Sequence, residues 1–222
     1  MEIYHGSEKI IKHPLYGYGN SRNDYGRGFY CTQSIELAKE WACKSNADGF
    51  ANGYHIDMND LNVLNLNSGE YNILNWLALL TNNRTYWQRQ SIAEDAKNFL
   101  QENYLIDISS YDVIIGYRAD DSYFSFAQDF VMGAISLQKL SRAMHLGQLG
   151  EQIVLKSERA FEHIEYTGSQ KALAIEYYSK KCARDVEARR KYLEDKRDMS
   201  NQEEIYILDI MRGRVSSDEL RI

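Results

Sequence analysis

The sequence predicts an α+β fold, because its strand and helix segments are mixed without a regular order. The segments with strand-like alternation are short, and they interleave with helical segments without strict strand–helix–strand alternation. No Gly-x-Gly-x-x-Gly stretch lies between a predicted strand and a predicted helix, so a doubly wound parallel sheet is not supported. With 222 residues, 44% of them hydrophobic, the chain can bury one substantial core.

The N-terminal part is predicted to contain short strands and one helix. Strands are expected at residues 2–5 and 28–32, with a glycine-rich loop between them. Residues 34–47 have helical spacing, and Ser34 is a candidate N-cap. Strand signals follow within residues 52–66. The apolar stripe of the predicted helix consists of Ile35, Ala38, Trp41 and Ala42.

The middle of the chain is predicted to contain both helices and buried strands. Apolar residues at helical spacing predict helices at residues 70–80, 91–104 and 123–132, with a shorter helix after Gly133. Apolar runs predict strands at residues 111–116 and 151–156. A short helix and a strand are expected within residues 157–166.

Residues 167–222 are predicted to form a helical appendage to a domain of residues 1–166. One long helix, charged on most sides, is expected at residues 169–197. Ser200 and Glu203 form a capping-box signature for another helix at residues 201–212. Residues 171–197 hold nine Lys or Arg and five Asp or Glu, so this segment carries a charge of +4 in a chain of net charge −6.

The composition argues against several classes of protein. No run of ~18 apolar residues exists, so no membrane span is predicted, and no signal segment opens the chain. Cys31, Cys43 and Cys182 show neither a disulfide framework nor metal-ligand spacing, so we expect a cytoplasmic protein without a metal site. The negative net charge argues against attraction of nucleic acid by the whole surface.

The residues that suggest chemistry lie at the start of the chain. They are Tyr-His-Gly-Ser at residues 4–7, Asp-Tyr-Gly-Arg-Gly-Phe-Tyr-Cys-Thr at residues 24–32, and Trp41. A histidine can hydrogen-bond sugar hydroxyls, and a glycine lets a ligand approach the backbone. Two aromatic faces, Tyr30 and Trp41, attract a flat cationic ring by stacking and cation–π interaction. Trp41 has an alternative role as the core anchor of its helix.

This ordered set resembles the ADP-ribosyltransferases of the His–Tyr–Glu class, which include diphtheria-type toxins and poly-ADP-ribose polymerases. The second aromatic residue in that class is usually Tyr, and Trp41 keeps a π-face at the position. Residues 1–166 more closely resemble an uncharacterised bacterial family with this fold, often encoded in toxin–antitoxin-like gene pairs. The resemblance rests on the run at residues 24–30, the Ala-Asp-Asp at residues 119–121 and the Gln-Ile at residues 152–153.

The resemblance implies a split-sheet core that binds NAD as a substrate, with nicotinamide between Tyr30 and Trp41. NAD cleavage builds oxocarbenium character on the ribose, which a hydrogen-bonding carboxylate stabilises. Arg22, Arg27 and Arg118 are candidates for the pyrophosphate. The residues expected to contact NAD are His5, Gly6, Ser7, Arg27, Tyr30, Thr32, Trp41 and Asp121.

The residue that takes the place of the family's catalytic Glu is left open by the sequence. The pattern Glu-x-Ile, as in the polymerases and diphtheria-type toxins, implies Glu151, whereas the closer bacterial family implies Gln152. Only one of these two can face a cleft from a regular strand. Asp120 and Asp121 are further candidates to activate a nucleophile or to bind a ribose hydroxyl. Alternatively, these two residues have only a structural role, in a solvated turn or as the cap of a helix. The candidates for a catalytic role are therefore Glu151, Gln152, Asp120 and Tyr30.

The resemblance implies a mono-ADP-ribosyltransferase, a toxin or effector that modifies a protein or nucleic acid with NAD as donor. The alternatives are an NAD-binding module without catalysis and an NAD glycohydrolase. The basic helix within residues 171–197 is either a solvated surface or a docking surface for an acidic partner such as an antitoxin-like protein. No membrane partner is expected.

Overall fold

A computed structural model gives the fold and describes residues 1–84, 91–119, 121–146, 150–198 and 204–220. The described strands are β1 (Glu2–Ser7), β2 (Phe29–Cys31), β3 (Gly49–Ile56), β4 (Val63–Asn65), β5 (Val113–Tyr117), β6 (Glu151–Leu155) and β7 (Ile164–Ala172). The described helices are α1 (Ile35–Ala42), α2 (Ile73–Asn83), α3 (Ser91–Tyr104), α4 (Asp121–Val131), α5 (Leu137–Met144), α6 (Glu158–Glu162), α7 (Ala174–Arg197) and α8 (Ile207–Met211). The predicted α+β class is confirmed. None of the helices in the described ranges is long and apolar enough to cross a membrane.

The strands form two sheets. The first has the antiparallel order β1-β3-β7, and the second has the order β2-β6-β5-β4, in which only β4 and β5 run parallel. The two sheets meet where Tyr4 and Thr32 exchange backbone hydrogen bonds, with N···O distances of 2.7 and 2.9 Å. This contact places the chain around His5 beside β2, although the two segments are far apart in the sequence.

Two hydrophobic clusters hold these layers together. The larger one packs helices α2 to α5 against the second sheet, with Trp76, Phe126 and Phe130 almost fully buried. The smaller one lies between the two sheets and includes Ile3 and Phe29. Burial of such large apolar side chains contributes roughly 1.5–3 kcal/mol each.

Helix α1 begins where the sequence predicts and ends earlier. Ser34 caps its N-terminus, since the Ser34 hydroxyl accepts a hydrogen bond from the backbone N–H of Leu37 at 3.3 Å. The predicted helix at residues 34–47 stops at Ala42, because Cys43 has an extended backbone and Lys44 pairs with Ala47 in a β-bridge. Likewise, the strand signals within residues 52–66 divide into β3 and β4.

The long C-terminal helix begins later than the sequence predicts. Residues 164–172 form β7, which pairs with β3 along its length, so α7 begins only at Ala174. Strand β7 therefore continues across the expected start of the appendage at residue 167. The helix predicted at residues 201–212 is observed at Ile207–Met211. Its expected capping pair, Ser200 and Glu203, lies outside the described residues.

Helix α7 packs along the rest of the molecule. The Arg184 guanidinium donates two hydrogen bonds to the buried Glu40 carboxylate of α1, at 3.0 and 2.7 Å. Farther along the helix, the Tyr192 ring stacks on Phe126 with 4.0 Å between centroids. The helix thus follows α1 and then α4, and it belongs to the same packed body as the sheets.

Candidate functional site

A cavity of about 610 Å³ lies between β2, β6, α1 and α7, and we call it the central cavity. Its volume is in the range typical of small-molecule sites in proteins. The residues that line it are Asn23, Asp24, Tyr30, Trp41, Arg84, Arg118, Ala119, Gln152, Tyr178, Lys181, Cys182, Asp185, Val186 and Arg189. Four of the predicted site residues therefore lie around one cavity: Tyr30, Trp41, Arg118 and Gln152.

Tyr30 is held in place by its own hydroxyl group. Its Oη donates a hydrogen bond to the backbone oxygen of Gly26 at 2.6 Å and accepts one from the backbone N–H of Tyr25 at 3.0 Å. Burial raises the pKa of the Tyr30 phenol, so the hydroxyl stays protonated and remains a donor. Gly26 has a φ of 74°, which favours glycine at this turn. The hydroxyl therefore fixes both the ring and the turn of residues 25–26.

Trp41 is positioned by a close contact between α1 and β1. A Cβ atom on Gly6 would overlap the backbone oxygen of Ala38 and would lie 3.0 Å from Cβ of Trp41. Only glycine therefore allows β1 to approach the helix this closely. The glycine was expected to let a ligand reach the backbone, and the structure gives it this packing role.

The Trp41 ring is in contact with a flat cation of the protein itself. The guanidinium carbon of Arg118 lies 3.6 Å from the centroid of the indole ring. This distance is van der Waals contact, so the two planar groups make a direct cation–π interaction. The Trp41 face in the cavity therefore already binds a planar, positively charged group.

Gln152 lies at the floor of the cavity with its amide fixed in one orientation. The side chain is 4% exposed, and its Nε2 donates a hydrogen bond to Oδ2 of Asp24 at 3.0 Å. Its Oε1 is buried and has no hydrogen-bond partner among the described residues. Because Asp24 can only accept at this contact, the amide nitrogen must face it. The amide oxygen is thereby left as an available acceptor.

Asp24 is the centre of a buried polar network behind Gln152. Its Oδ1 accepts hydrogen bonds from Arg84, at 2.7 Å from Nε and 2.6 Å from Nη2. Its Oδ2 accepts the backbone N–H of Ala119 at 2.9 Å in addition to the amide of Gln152. A carboxylate that is paired and fully hydrogen-bonded is a positioning group, because its acceptor sites are already used.

Glu151 lies on the other face of β6, as strand alternation requires. Its side chain is exposed, and its Oε1 accepts a hydrogen bond from the Asn67 side chain at 2.7 Å. It lines a second hollow beside the start of α1, together with Thr32 and Ser34. The residues lining the central cavity, within the described part of the chain, include Gln152 and not Glu151.

His5 is partly buried next to Tyr30 but is not one of the described residues that line the central cavity. Its Nδ1 lies 2.7 Å from the backbone oxygen of Tyr30, and its ring stacks on Phe29 with centroids 4.3 Å apart. A carbonyl only accepts, so Nδ1 carries the proton and Nε2 is the acceptor of the neutral ring. Burial lowers the pKa of His5 and outweighs the opposing effect of the hydrogen bond to Tyr30.

Most of the other predicted site residues are not among the described residues that line the central cavity. The Ser7 hydroxyl donates to the backbone oxygen of Lys9 at 2.6 Å, and the Thr32 hydroxyl accepts the backbone N–H of Ser34 at 3.2 Å. The Arg27 side chain is exposed. Asp120 lies outside the described residues, and Asp121 opens α4, with its side chain outside the described part.

The turn that carries Arg27 is held by a partly buried lysine. The Lys156 ammonium donates hydrogen bonds to the backbone oxygens of Tyr25 and Arg27, at 2.6 and 2.5 Å. Burial lowers the pKa of Lys156 to about 8. Together with the Tyr30 hydroxyl, this lysine fixes the glycine-rich turn at the edge of the cavity.

The sequence reasoning missed Asp24, Arg84 and the wall formed by α7. Asp24 begins the Asp-Tyr-Gly run and was recognised only as part of a motif. Arg84 follows the end of α2 and has no sequence signal that links it to Asp24. The α7 residues recur at helical spacing, so a single face of this helix lines the cavity: Tyr178, Lys181, Cys182, Asp185 and Arg189. The site was expected within residues 1–166, and the packing of α7 on α1 extends it beyond them.

The comparisons with known proteins identify one family. The DUF3990 family, described as a protein of unknown function, matches residues 1–166. The match covers most of the chain, so the protein belongs to this family. Neither the curated proteins nor the solved structures contain a match to the chain.

Proposed function

We propose that the protein is a mono-ADP-ribosyltransferase with an ADP-ribosyltransferase-like core. It cleaves NAD at the nicotinamide–ribose bond and transfers ADP-ribose to a macromolecule. The observation that carries the proposal is the convergence of Tyr30, Trp41 and Gln152 on one cavity. These are the residues to which the sequence resemblance assigns nicotinamide stacking and ribose contact. The same resemblance supports a role as a toxin or effector that is paired with an antitoxin-like protein.

The Arg118–Trp41 contact supports the choice of a planar cation as ligand. The nicotinamide ring of NAD is flat and positively charged, like the guanidinium group that lies on Trp41. At 3.6 Å no second ring fits between the two groups, so nicotinamide stacks on this face only when Arg118 swings away. Binding therefore exchanges one cation–π contact for another on the same ring.

Gln152 is the proposed contact to the ribose that loses nicotinamide. Its Oε1 is a buried acceptor, and a ribose hydroxyl is a donor of the matching kind. The carboxylate of Asp24 accepts from the other end of the same amide, which polarises the amide and increases the negative charge on Oε1. Such a dipole, oriented before the reaction, stabilises positive charge as it develops on the ribose.

A specific observation favours a second candidate function, that of an NAD-binding module without turnover. The cavity floor holds an amide, and the carboxylate hydrogen-bonded to it, that of Asp24, is engaged by Arg84. An uncharged acceptor stabilises an oxocarbenium ion less than a free carboxylate does. Under this alternative the cavity binds NAD, and the protein acts through association with a partner.

The test measures nicotinamide release from NAD labelled in its adenine ring, with and without cell extract. Transfer predicts release that depends on the extract, together with label on a macromolecule. Hydrolysis predicts release without extract, and a binding module predicts no release but calorimetric binding of NAD. Tyr30→Ala serves as the control, because it removes the stacking face from the cavity. A protein that neither binds NAD nor releases nicotinamide contradicts the proposal.

A further inference from the structure

We propose that α7 supplies an anion subsite to the central cavity, with Lys181 as the residue that binds a phosphate group of the ligand. The inference rests on the proposed function, since it names the part of NAD that this wall recognises, its diphosphate. It assigns a binding role to a helix that lies outside residues 1–166, the segment matched by the family.

The charge of the cavity lining is opposite in sign to that of the whole protein. The lining contains four basic side chains and two acidic ones, although the net charge of the chain is −6. The two acids already have partners of their own: Asp24 pairs with Arg84, and Asp185 accepts from Nε of Arg189 at 2.9 Å. A cavity with a local excess of positive charge attracts an anion.

Lys181 is the basic group in this lining that an anion would neutralise. It is half-buried, and its ammonium makes no hydrogen bond or ion pair with a described residue. It also lines a small adjoining hollow next to Trp41 and Arg118, so it stands beside the proposed nicotinamide position. A lysine that lines a cavity without a counter-ion there can bind an anion, and a phosphate oxygen would supply both the opposite charge and the hydrogen-bond acceptor.

The wall that carries Lys181 is rigid. One turn beyond it, Arg184 is bound to the buried Glu40, and Tyr177 before it is buried against α1. The helix that presents the ammonium to the cavity is therefore already ordered, and the entropy cost left to binding is that of the lysine side chain itself. The adjacent Lys180 turns away from the cavity and pairs with Glu176 at 2.7 Å and with Glu36 at 3.7 Å.

The neighbouring lysines allow a matched experiment. Calorimetry compares the parent protein with Lys181→Gln and Lys180→Gln for binding of NAD, ADP and nicotinamide riboside, the last of which has no phosphate. Because Lys181→Gln loses one charge-assisted hydrogen bond, its affinity for NAD and for ADP should fall roughly ten- to a hundredfold. Nicotinamide riboside should bind both variants as it binds the parent, and Lys180→Gln should bind all three unchanged. Thermal unfolding midpoints equal to that of the parent establish that both variants fold.

The three ligands separate failure of the inference from failure of the proposed function. If Lys181→Gln binds NAD and ADP as tightly as the parent, the subsite is wrong while NAD binding stands. If the parent binds ADP through Lys181 but binds neither NAD nor nicotinamide riboside, the subsite stands and the proposed function fails. If the parent binds neither NAD nor ADP, both are overturned.

Discussion

In the central cavity, hydrogen bonds to neighbouring residues fix the orientation of individual side chains. Tyr30 uses its hydroxyl to hold the turn of residues 25–26, and Gln152 uses its amide nitrogen to contact Asp24. What remains for a ligand is the tyrosine ring and the amide oxygen. The orientation of each group therefore depends on a partner that is itself not expected to touch the ligand.

Removing the Tyr30 ring tests the stacking face. Tyr30→Ala should weaken NAD binding by ~1–3 kcal/mol through lost stacking and lost apolar contact area. Tyr30→Phe keeps the ring but removes the hydrogen bonds to Gly26 and Tyr25, so its main effect should be on stability, about 1–3 kcal/mol. Calorimetry and denaturant unfolding measure the two effects. Equal NAD affinity of Tyr30→Ala and the parent would show that NAD does not occupy this cavity.

The neighbours Glu151 and Gln152 provide a matched pair of substitutions. Gln152→Ala should reduce nicotinamide release at least ~100-fold, because the lost interaction is strongest in the transition state. Glu151→Gln should have almost no effect, since this side chain is exposed and pairs with Asn67 on the other face of β6. Turnover numbers of both variants, measured at saturating NAD, show which of the two side chains contributes to nicotinamide release. The assignment of Gln152 is contradicted if Glu151→Gln is the variant that loses activity.

Helices α1 and α7 together determine the width of the cavity. Trp41 lies on α1, and Lys181 and Arg189 face it from α7. The buried ion pair between these helices joins Glu40 of α1 to Arg184 of α7, and the Glu40 side chain is only 3% exposed. Its neighbour one turn earlier on α1, Glu36, has a side chain that is 53% exposed, and it pairs with Lys39 and, at 3.7 Å, with Lys180 of α7.

Breaking the buried pair should loosen α7. Glu40→Ala leaves the Arg184 guanidinium without its carboxylate partner and should lower the free energy of unfolding by about 3 kcal/mol. Glu36→Ala, the control, removes only exposed pairs, one to Lys39 and one to Lys180 of α7, and should cost less than about 1 kcal/mol. Hydrogen exchange should increase in the first half of α7 for Glu40→Ala alone. Similar stability and exchange in the two variants would mean that this pair does not hold the helix.

At the scale of the molecule, the described part of the chain packs around a cavity that has one wall formed by a helix outside the family match. Strand β7 runs through residue 166, the last residue of the match. Beyond it, α7 buries Tyr177, Ala188 and Tyr192 against the rest of the protein. Basic residues of α7 also pair with acids outside residues 171–197: Arg184 binds Glu40 at 2.7 Å, and Lys196 binds Asp129 at 2.5 Å. The surface proposed for an acidic partner is therefore less positive than the residue count of this segment indicates.

A chain that ends at residue 166 should fail to fold cooperatively. It cuts β7 in the middle of its pairing with β3 and exposes Phe126, which Tyr192 covers in the full chain. We expect a broad thermal transition and no NAD binding, measured beside the full chain in the same buffer. A sharp transition together with NAD binding by the shorter chain would show that the family segment is sufficient and that α7 is an addition to it.

The sequence by itself determined the α+β class, the cap of α1 and the short-range motifs that carry Tyr30 and Trp41. These features are local, since periodicity, capping and motif spacing depend on residues that are close in the sequence. On β6 the resemblance left Glu151 and Gln152 as candidates, and strand alternation allows only one of them to face the cavity. The tertiary structure has Gln152 in the cavity lining.

Only the tertiary structure decided what surrounds those residues. Asp24 and Gln152 are 128 positions apart and Glu40 and Arg184 are 144 apart, so no pattern in the chain links them. Such contacts arise when buried polar groups find partners as the layers pack, because an unpaired buried charge is costly. The same packing brought Arg118 onto Trp41 and α7 over the cavity, which is why the full composition of the site appeared only in the folded chain.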